Sequence, residues 1–241
     1  MDFIDMHDHL LPGVDDGSTD MKMSEELIEM EYREGVRKII CTPHYVKNRN
    51  SYSFSGLEET FEAFKERAKE MHPDMEVYLG NEVLYEDGIV DDIRGGLVHT
   101  MAGSKYILVE FNIRISYGSI YEAMRNLISL RLRPIIAHVE RYKSLVGNED
   151  RIEELKNMGV YLQMNAESVG GSAFDTKSRW CNKLLKKGYI DFISTDAHDL
   201  ISRTPDLSDA AKWIKRKCGE DELERMLFEN AEIVINNKFI D

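Results

Sequence analysis

Six short apolar runs in this chain end in side chains that can bind a metal ion. Their polar ends carry imidazole or carboxylate groups, which are the donors that divalent transition metals use in proteins. The residues at these ends are His7, His9, His44, Glu82, Glu110, His138, Asp196 and His198. A repeated pairing of a buried strand with a ligand at its C-terminal end is typical of a multinuclear metal site in a barrel enzyme.

The first run contains the motif Asp5-x-His7-x-His9. Side chains two residues apart on a strand point to the same face, so His7 and His9 can reach one ion together, with Asp5 supporting an imidazole from behind. Five of the seven histidines lie at or just past a predicted strand end. The other two, His72 and His99, are interpreted as solvated loop residues.

Carboxylates complete this set of donors. Glu82 and Glu110 follow the third and fourth predicted strands, and Asp196 precedes His198 after the last one. A carboxylate in the position of Glu82 can bridge two divalent ions. Mixed imidazole and carboxylate ligation suits manganese, iron or zinc better than calcium.

The elements that must position these residues alternate between apolar, strand-like runs and helical stretches, which predicts βα units around a parallel sheet. Seven strands are predicted, near 3–7, 38–42, 76–80, 106–110, 134–138, 160–164 and 191–195. Helices are predicted at about 21–35, 56–71, 117–131, 149–158, 173–187, 206–217 and 220–236, with a short one within 83–105. No linker, repeat or low-complexity tract divides the chain. The expectation is one α/β domain over residues 1–241, a distorted (β/α)7 TIM-like barrel whose C-terminal strand ends bring the donors together.

Composition narrows the class of protein. The chain has 241 residues, 42% of them hydrophobic, and a formal charge of −13 from 44 acidic and 31 basic residues. This balance disfavours nonspecific binding to nucleic acid or to an anionic membrane. No apolar stretch reaches membrane-spanning length and no signal sequence opens the chain, so we expect a cytoplasmic protein without membrane insertion. Its three cysteines lack both a CxxC pattern and the Cys-x5-Arg loop of cysteine-based phosphatases.

Two charged segments lie outside the set of metal donors, the acidic helix at 21–35 and the basic segment at 46–54. Acidic positions recur on the predicted helix 21–35, at Glu25, Glu26, Glu29, Glu31 and Glu34, and are interpreted as one solvated face. Residues 46–54, just after His44, are basic and aromatic. They are interpreted as a loop in which Lys47 and Arg49 grip a substrate, with an ordinary mobile loop as the alternative.

Longer motifs around these donors support a family resemblance. The chain resembles the polymerase and histidinol phosphatase (PHP) superfamily and, within it, the CpsB-type protein-tyrosine phosphatases of bacterial capsular and exopolysaccharide operons. The segments that carry the resemblance are Asp5-Met6-His7-Asp8-His9-Leu10-Leu11-Pro12-Gly13-Val14-Asp15-Asp16-Gly17, Thr42-Pro43-His44-Tyr45, Gly80-Asn81-Glu82, Ala137-His138-Val139-Glu140-Arg141-Tyr142 and Thr195-Asp196-Ala197-His198.

This resemblance implies three divalent ions, with manganese favoured and iron, zinc, magnesium or cobalt as alternatives. The first would be held by His7, His9, Glu82 and Asp196, the second by Glu82, Glu110 and His138, and the third by Asp16, His44 and His198. It also implies that Arg141 and Arg203 bind the substrate phosphate. Asp16 and Glu110 stand where other branches of the superfamily often have histidine, which favours the tyrosine-phosphatase branch.

The chemistry of such a site follows from its residue types. Hydrolysis of a phosphate monoester needs an activated water, neutralisation of the phosphoryl oxygens and stabilisation of the leaving oxygen. Metal ions can lower the pKa of a water, and the planar fork of arginine donates two parallel hydrogen bonds to phosphate. The third ion, or a protonated His44 or His198 in its absence, can assist the leaving group.

The sequence therefore predicts a metal-dependent phosphoric monoester hydrolase, by resemblance a protein-tyrosine phosphatase. The resemblance further implies a bacterial tyrosine autokinase as its phosphotyrosine substrate and a role in capsule or exopolysaccharide biosynthesis. Two alternatives remain open: a phosphatase for a small metabolite such as histidinol phosphate, and a noncatalytic PHP module that binds metal or a protein partner. The metal donors alone do not separate these three.

Overall fold

The protein is an α/β domain built on a curled parallel sheet. A computed structural model describes residues 2–50, 52–172 and 174–240. The predicted domain over residues 1–241 therefore includes four residues outside the described ranges, and the predicted helix over 173–187 includes one of them. Within those ranges, no helix combines the length and the apolar character needed to cross a membrane.

All strand pairs described in the structure are parallel, as the βα pattern predicts. The strands are β1 (Phe3–Asp8), β2 (Val36–Cys41), β3 (His44–Tyr45), β4 (Glu76–Leu79), β5 (Glu82–Leu84), β6 (Tyr106–Glu110), β7 (Arg133–Ile136), β8 (Tyr161–Asn165) and β9 (Phe192–Ser194). They form two sheets, ordered β1-β2-β4 and β3-β5-β6-β7-β8-β9. The short strands β3 and β5 continue β2 and β4 after breaks at residues 42–43 and 80–81.

Backbone hydrogen bonds draw the two sheets together at their C-terminal ends. The Asp196 amide donates to the His7 carbonyl at 2.8 Å, and the His9 amide donates to the Ala197 carbonyl at 2.9 Å. On the other side, the amide of Glu82, which opens β5, donates to the carbonyl of Thr42, just after β2, at 3.3 Å. The sheet therefore curls so that the residues after each strand meet on one face.

Helices pack around this sheet close to the predicted positions. They are α1 (Met21–Arg33), α2 (Phe54–Met71), α3 (Ile89–Arg94), α4 (Tyr117–Ser129), α5 (Glu149–Asn157), α6 (Thr176–Lys186), α7 (Ser208–Lys217), α8 (Glu220–Glu224) and α9 (Asn230–Ile235). A π-helical turn (Arg225–Glu229) joins the last two. Each long helix buries one stripe, as α2 does with Leu57, Phe61, Phe64 and Ala68, because apolar positions at helical spacing share one face.

The predicted solvated face of α1 is wrong at Glu31. This side chain is fully buried with Ser24, Leu27 and Ile28. Neither of its carboxyl oxygens has a hydrogen-bond partner among the described residues. Burial, together with the neighbouring Asp5 and Asp8, raises the pKa of Glu31 well above its ordinary value, so the protonated form is favoured in the folded protein.

Replacing Glu31 with glutamine should therefore stabilise the protein at neutral pH, by about 1 to 3 kcal/mol in the free energy of unfolding. A carboxyl whose folded pKa lies above its unfolded value destabilises the fold as pH rises through the unfolded value, which is 4.5 for glutamate. The stability difference between Glu31→Gln and the wild type should thus shrink as pH falls toward 4.5. Urea unfolding at several pH values measures it, with the exposed Glu26→Gln as the control. An equal effect of the two substitutions would contradict the prediction.

Candidate metal centre

The site begins at the C-terminal end of β1, where His7 and His9 point to the same face. Their ring centroids lie 5.6 Å apart. Residues 13–18 fold back over His9, and the Ser18 amide donates to the His9 carbonyl at 2.9 Å. Gly17 allows this approach, since a Cβ there would lie 2.1 Å from the His9 carbonyl oxygen. The turn thereby places Asp15 and Asp16 beside the histidines.

Glu82 lies at the centre of the cluster. It opens β5, is buried, and pairs in register with His44 of β3. Its carboxylate oxygens lie 3.3 Å from Nε2 of His7, 3.3 Å from Nε2 of His9, 3.0 Å from Nδ1 of His44 and 2.8 Å from Nε2 of His138. Burial opposes ionisation, but His7, His138 and His44 outweigh it and lower the pKa of Glu82 well below its usual range.

Two of the predicted donors lie in the left-handed region of backbone space. The φ angles are 33° for His138 and 55° for Asp196. Such conformations cost about 1 to 3 kcal/mol for residues other than glycine and persist where the surrounding structure imposes them. They turn the chain sharply after β7 and β9, so that both side chains project into the cluster.

The structure brings all nine predicted metal-binding side chains to one face. Three sets have ligand atoms within 4.8 Å of one another: His7, His9, Glu82 and Asp196; His9, Asp16, His44 and His198; and His44, Glu82 and Glu110. The first set is the predicted first ion site, and the second adds His9 to the predicted third. In the remaining set His44 takes the predicted place of His138, whose Nε2 lies 3.7 Å from Glu110. His44 thus belongs to two of the three sets.

Unpaired nitrogens in the cluster fit a metal ion. Nε2 of His7, His9 and His198 is buried without a hydrogen-bond partner among the described residues, although buried polar atoms are normally paired. Their Nδ1 atoms are engaged elsewhere: His7 with Gln163 at 3.2 Å, His9 with Asp15 at 2.7 Å and His198 with the Asp196 carbonyl at 2.9 Å. This pattern fixes the tautomer that leaves each Nε2 lone pair free for a cation.

The electrostatics of the cluster also favour cations. Burial disfavours protonation of His9, but Asp15 and Glu82 outweigh it and raise its pKa to about 10. Burial also disfavours protonation of His44, but Asp16, Glu110 and Glu82 outweigh it and raise the pKa of His44 above its ordinary value. Burial lowers the pKa of His198 below its ordinary value. Protons held among these carboxylates would be exchanged for divalent ions on metal binding.

Arg141 and Arg203, the two residues predicted to bind phosphate, lie beside the cluster. Nη2 of Arg141 lies 2.9 Å from Oδ2 of Asp196, and Nη2 of Arg203 lies 2.8 Å from Oδ1. Both line a cavity of about 320 Å³ whose wall also includes Asn165 and Glu167. Each guanidinium is anchored at one nitrogen by the Asp196 carboxylate, which orients the remaining N–H groups of the two forks.

The residues that support the ligands differ from those predicted. Among the described residues Asp5 has no hydrogen bond to an imidazole; its carboxylate accepts from the amides of His7 and Thr195 at 3.2 Å and from the Thr195 hydroxyl. Gln163 does this work instead, accepting from Nδ1 of His7 at 3.2 Å and from the His138 amide at 2.6 Å. Asn165 donates to Asp196 at 2.7 Å. The sequence contained a signal for this supporting role, because Gln163 and Asn165 are polar residues two positions apart on the buried strand β8 and therefore share one face.

Substituting Gln163 should weaken metal binding without unfolding the protein. Gln163→Met keeps the volume but removes the acceptor for His7, so we expect the affinity for Mn²⁺ to fall about 10- to 100-fold. Gln163→Glu retains an acceptor oxygen and should lose much less. Competitive titration against a fluorescent chelator measures both, and equal affinities for wild type and Gln163→Met would contradict the supporting role.

Two expectations about neighbouring residues are corrected. His72 is half-buried, stacked on Tyr32 with ring centroids 3.6 Å apart, and His99 stacks on Phe54 at 4.3 Å, so neither is a freely solvated residue. In the segment 46–54, Lys47 pairs with Asp92 at 3.0 Å and Arg49 pairs with Glu86 at 2.7 Å. Both cations therefore have partners within the protein, and their role in gripping a substrate stays a prediction. Ser51 of that segment lies outside the described residues.

The sequence of this chain is similar to those of known bacterial phosphatases. Residues 3–236 match the model of the family described as "Capsular polysaccharide synthesis, CpsB/CapC". The tyrosine-protein phosphatase CpsB of Streptococcus agalactiae serotype III (strain NEM316) is 31% identical, over 98% of this chain and 100% of that protein. The tyrosine-protein phosphatase YwqE of Bacillus subtilis (strain 168) is 27% identical, over 98% and 93%.

Solved structures agree with the sequence relatives. A chain from the crystal structures of YwqE from Bacillus subtilis and CpsB from Streptococcus pneumoniae, described as unique metal-dependent tyrosine phosphatases, matches with a TM-score of 0.90 at 26% identity. The match covers 99% of this chain and 96% of that one. The phosphotriesterase homology protein from Escherichia coli matches with a TM-score of 0.62 at 13% identity, over 96% and 98%. This second match shows a shared fold alone.

Proposed function

The chain belongs to the CpsB/CapC family, and on that premise we propose that it is a metal-dependent protein-tyrosine phosphatase. One observation carries the proposal: nine donors suited to divalent metals converge beside a cavity lined by Arg141 and Arg203. Relatives that match over nearly the whole chain are named tyrosine-protein phosphatases, which supports phosphotyrosine as the substrate.

We infer that the domain spans residues 1–241 as a distorted (β/α)7 barrel of the PHP type. Counting β2 with β3 and β4 with β5 as interrupted strands supports seven. At its C-terminal face we propose three divalent ions, with manganese favoured. His7, His9, Glu82 and Asp196 would hold the first, Glu82, Glu110 and His138 the second, and Asp16, His44 and His198 the third. When bound, such ions supply the Lewis acidity that activates water and neutralises charge on a phosphoryl group.

The protein's own side chains perform the remaining tasks. Arg141 and Arg203 donate to the phosphoryl oxygens and hold the ester in the cavity, while Asp196 keeps both guanidinium groups oriented. His44 is the more accessible of the two candidate proton donors, with 26% of its side chain exposed against 3% for His198. In the absence of the third ion, we therefore assign the protonation of the departing phenoxide to His44, with His198 as the second candidate. When bound, that ion would supply the stabilisation of the leaving oxygen instead.

The cellular setting proposed for this activity comes from the family. The substrate would be a phosphotyrosine protein, a bacterial tyrosine autokinase, acted on in the cytoplasm during capsule or exopolysaccharide biosynthesis. Of the two alternatives, a noncatalytic module is disfavoured because each predicted ligand is present and the arginines line an open cavity. A small-metabolite phosphatase such as a histidinol phosphatase would use the same donors.

The deciding experiment compares a phosphotyrosine peptide, a phosphoserine peptide and histidinol phosphate at equal metal loading. We expect kcat/KM for the phosphotyrosine peptide to exceed kcat/KM for the other two substrates by about tenfold or more. The phenoxide of tyrosine is a better leaving group than an alkoxide, and its ring fills more of the cavity. Preference for histidinol phosphate would support the metabolite alternative. No hydrolysis of any ester by the metal-loaded protein would support the noncatalytic one.

A further inference from the structure

A basic groove lies on α6, on a protein whose total charge is strongly negative. Helix α6 and the following Lys187 contain five cations and no carboxylate. A groove of about 480 Å³ runs along this helix, lined by Arg179, Asn182, Lys183, Lys186 and Lys187. The spacing of these residues by three, four or one positions places them on a single exposed stripe.

Part of this positive charge is in no ion pair with the described residues. Glu149 pairs with Lys183 and Lys187. Lys177, Arg179 and Lys186 are exposed and form no ion pair with a carboxylate among the described residues; Lys186 lies 5.9 Å from the ring centroid of Trp213. Hydrogen bonds from Ser178 lower the pKa of Asp175, at the N-terminal end of α6, and interactions with Lys177 and Arg179 help to lower it. Five cations against Asp175 and Glu149 still leave an excess of three positive charges, and such a local positive field attracts an anionic partner.

The helix that carries the groove also lines a depression next to the candidate active site. A second depression, of about 260 Å³, is lined by Glu167, Ser168, Gly171, Lys177 and Ser178. Glu167 also lines the cavity that contains Arg141 and Arg203. At its other end, Lys177 and Ser178 lead directly along the chain to Arg179 of the groove. A path of depressions therefore runs from the phosphate cavity onto α6.

The loop beneath this path is fixed to the helix. Asn182 accepts from the Gly170 amide at 3.0 Å and donates to the Gly170 carbonyl at 2.8 Å. A Cβ on Gly171 would lie 2.4 Å from Oγ of Ser178, so glycine allows the loop to pack directly on α6. Gly170 and Gly171 are thus held directly against α6.

From this geometry we propose that the α6 groove is a docking site for an acidic peptide segment next to the phosphotyrosine of the protein substrate. The proposal rests on the proposed phosphatase function and specifies its substrate class. Lys186 lies seven helical steps after Arg179, which is about 10 Å at 1.5 Å per residue. An extended peptide covers this length with about three residues, so a short acidic run is sufficient to occupy it.

The test uses the metal-loaded protein with two charge-matched double variants. Arg179→Glu/Lys186→Glu reverses two cations of the groove, and Arg216→Glu/Lys217→Glu reverses two exposed cations of α7 that line no described cavity. Glutamate is a good helix former, so neither change opposes the helix. The substrates are p-nitrophenyl phosphate and phosphotyrosine peptides that carry four acidic residues before the tyrosine, four after it, or none.

We expect the wild type to prefer one acidic peptide over the uncharged peptide by about 5- to 10-fold in kcat/KM, through KM, with the preference lost in high salt. The groove variant should lose this preference, the α7 variant should retain it, and all three proteins should hydrolyse p-nitrophenyl phosphate equally. Equal losses in both variants, or no loss in the groove variant, would overturn the proposal. Binding to anionic lipid vesicles is measured on the same proteins. If the groove variant loses vesicle binding while its peptide preference is unchanged, the groove binds a membrane surface and the proposal is overturned. Hydrolysis of p-nitrophenyl phosphate without hydrolysis of any phosphotyrosine peptide would instead refute the proposed function itself.

Discussion

Removing divalent metal should abolish phosphatase activity and phosphate binding together. Asp16, Glu82, Glu110 and Asp196 contribute four carboxylates to the cluster. Three divalent ions against these four charges leave about +2 at the site before the arginines are counted. Without the ions the same cavity repels phosphate, and the hydrolysis rate should fall by at least about three orders of magnitude.

The measurement is phosphate binding by isothermal titration calorimetry, beside hydrolysis of an aryl phosphate, before chelation, after it and after reloading with Mn²⁺. Circular dichroism of each sample serves as the control for folding. Reloading should restore both properties. Tight phosphate binding by the metal-free protein would contradict this account, because it would locate phosphate affinity in the arginines alone.

Arg141→Ala and Arg203→Ala should each lower kcat/KM for a phosphotyrosine peptide by about 10²- to 10³-fold, the usual loss when one preorganised group that stabilises developing charge is removed. Lysine at either position should restore only part of the activity, because its single ammonium cannot reproduce the two parallel hydrogen bonds of a guanidinium. Arg216→Ala, on an exposed position of α7, is the matched control and should remain within about twofold of the wild type.

Metal content must be measured on the same samples, because both arginines contact Asp196. Inductively coupled plasma analysis should find unchanged metal stoichiometry in the alanine variants. If metal is lost in proportion to activity, the arginines act by holding a ligand in place, and their assignment to phosphate is wrong.

The positions of most elements followed from the sequence because apolar periodicity has a direct physical cause. The predicted strand near 106–110 and helices near 117–131 and 149–158 match β6, α4 and α5 to within two residues at each end. The short strands β3 and β5 were not predicted. They lie among candidate ligands, where polar side chains interrupt the apolar pattern on which strand prediction depends.

Glu31 shows the limit of reading residue types on a helix. Its spacing from Ser24, Leu27 and Ile28 places it on the buried face of α1, and helical periodicity alone predicts this. The charge of glutamate led instead to the prediction that the Glu31 side chain is exposed to solvent. Periodicity prevailed because a carboxyl can be accommodated inside a protein by retaining its proton, as its raised pKa indicates.

The sequence by itself determined the parallel α/β organisation, the identity of the metal-type donors and the expectation that they meet at one face. These depend on strand periodicity and on the chemistry of imidazole and carboxylate groups, which are properties of local sequence. Only the tertiary structure decided which donors are neighbours: that His44 stands between two sets, that Gln163 rather than Asp5 orients His7, and that a path leads from the arginines to α6. Those relations join residues on different strands and helices, and their distances are set by packing.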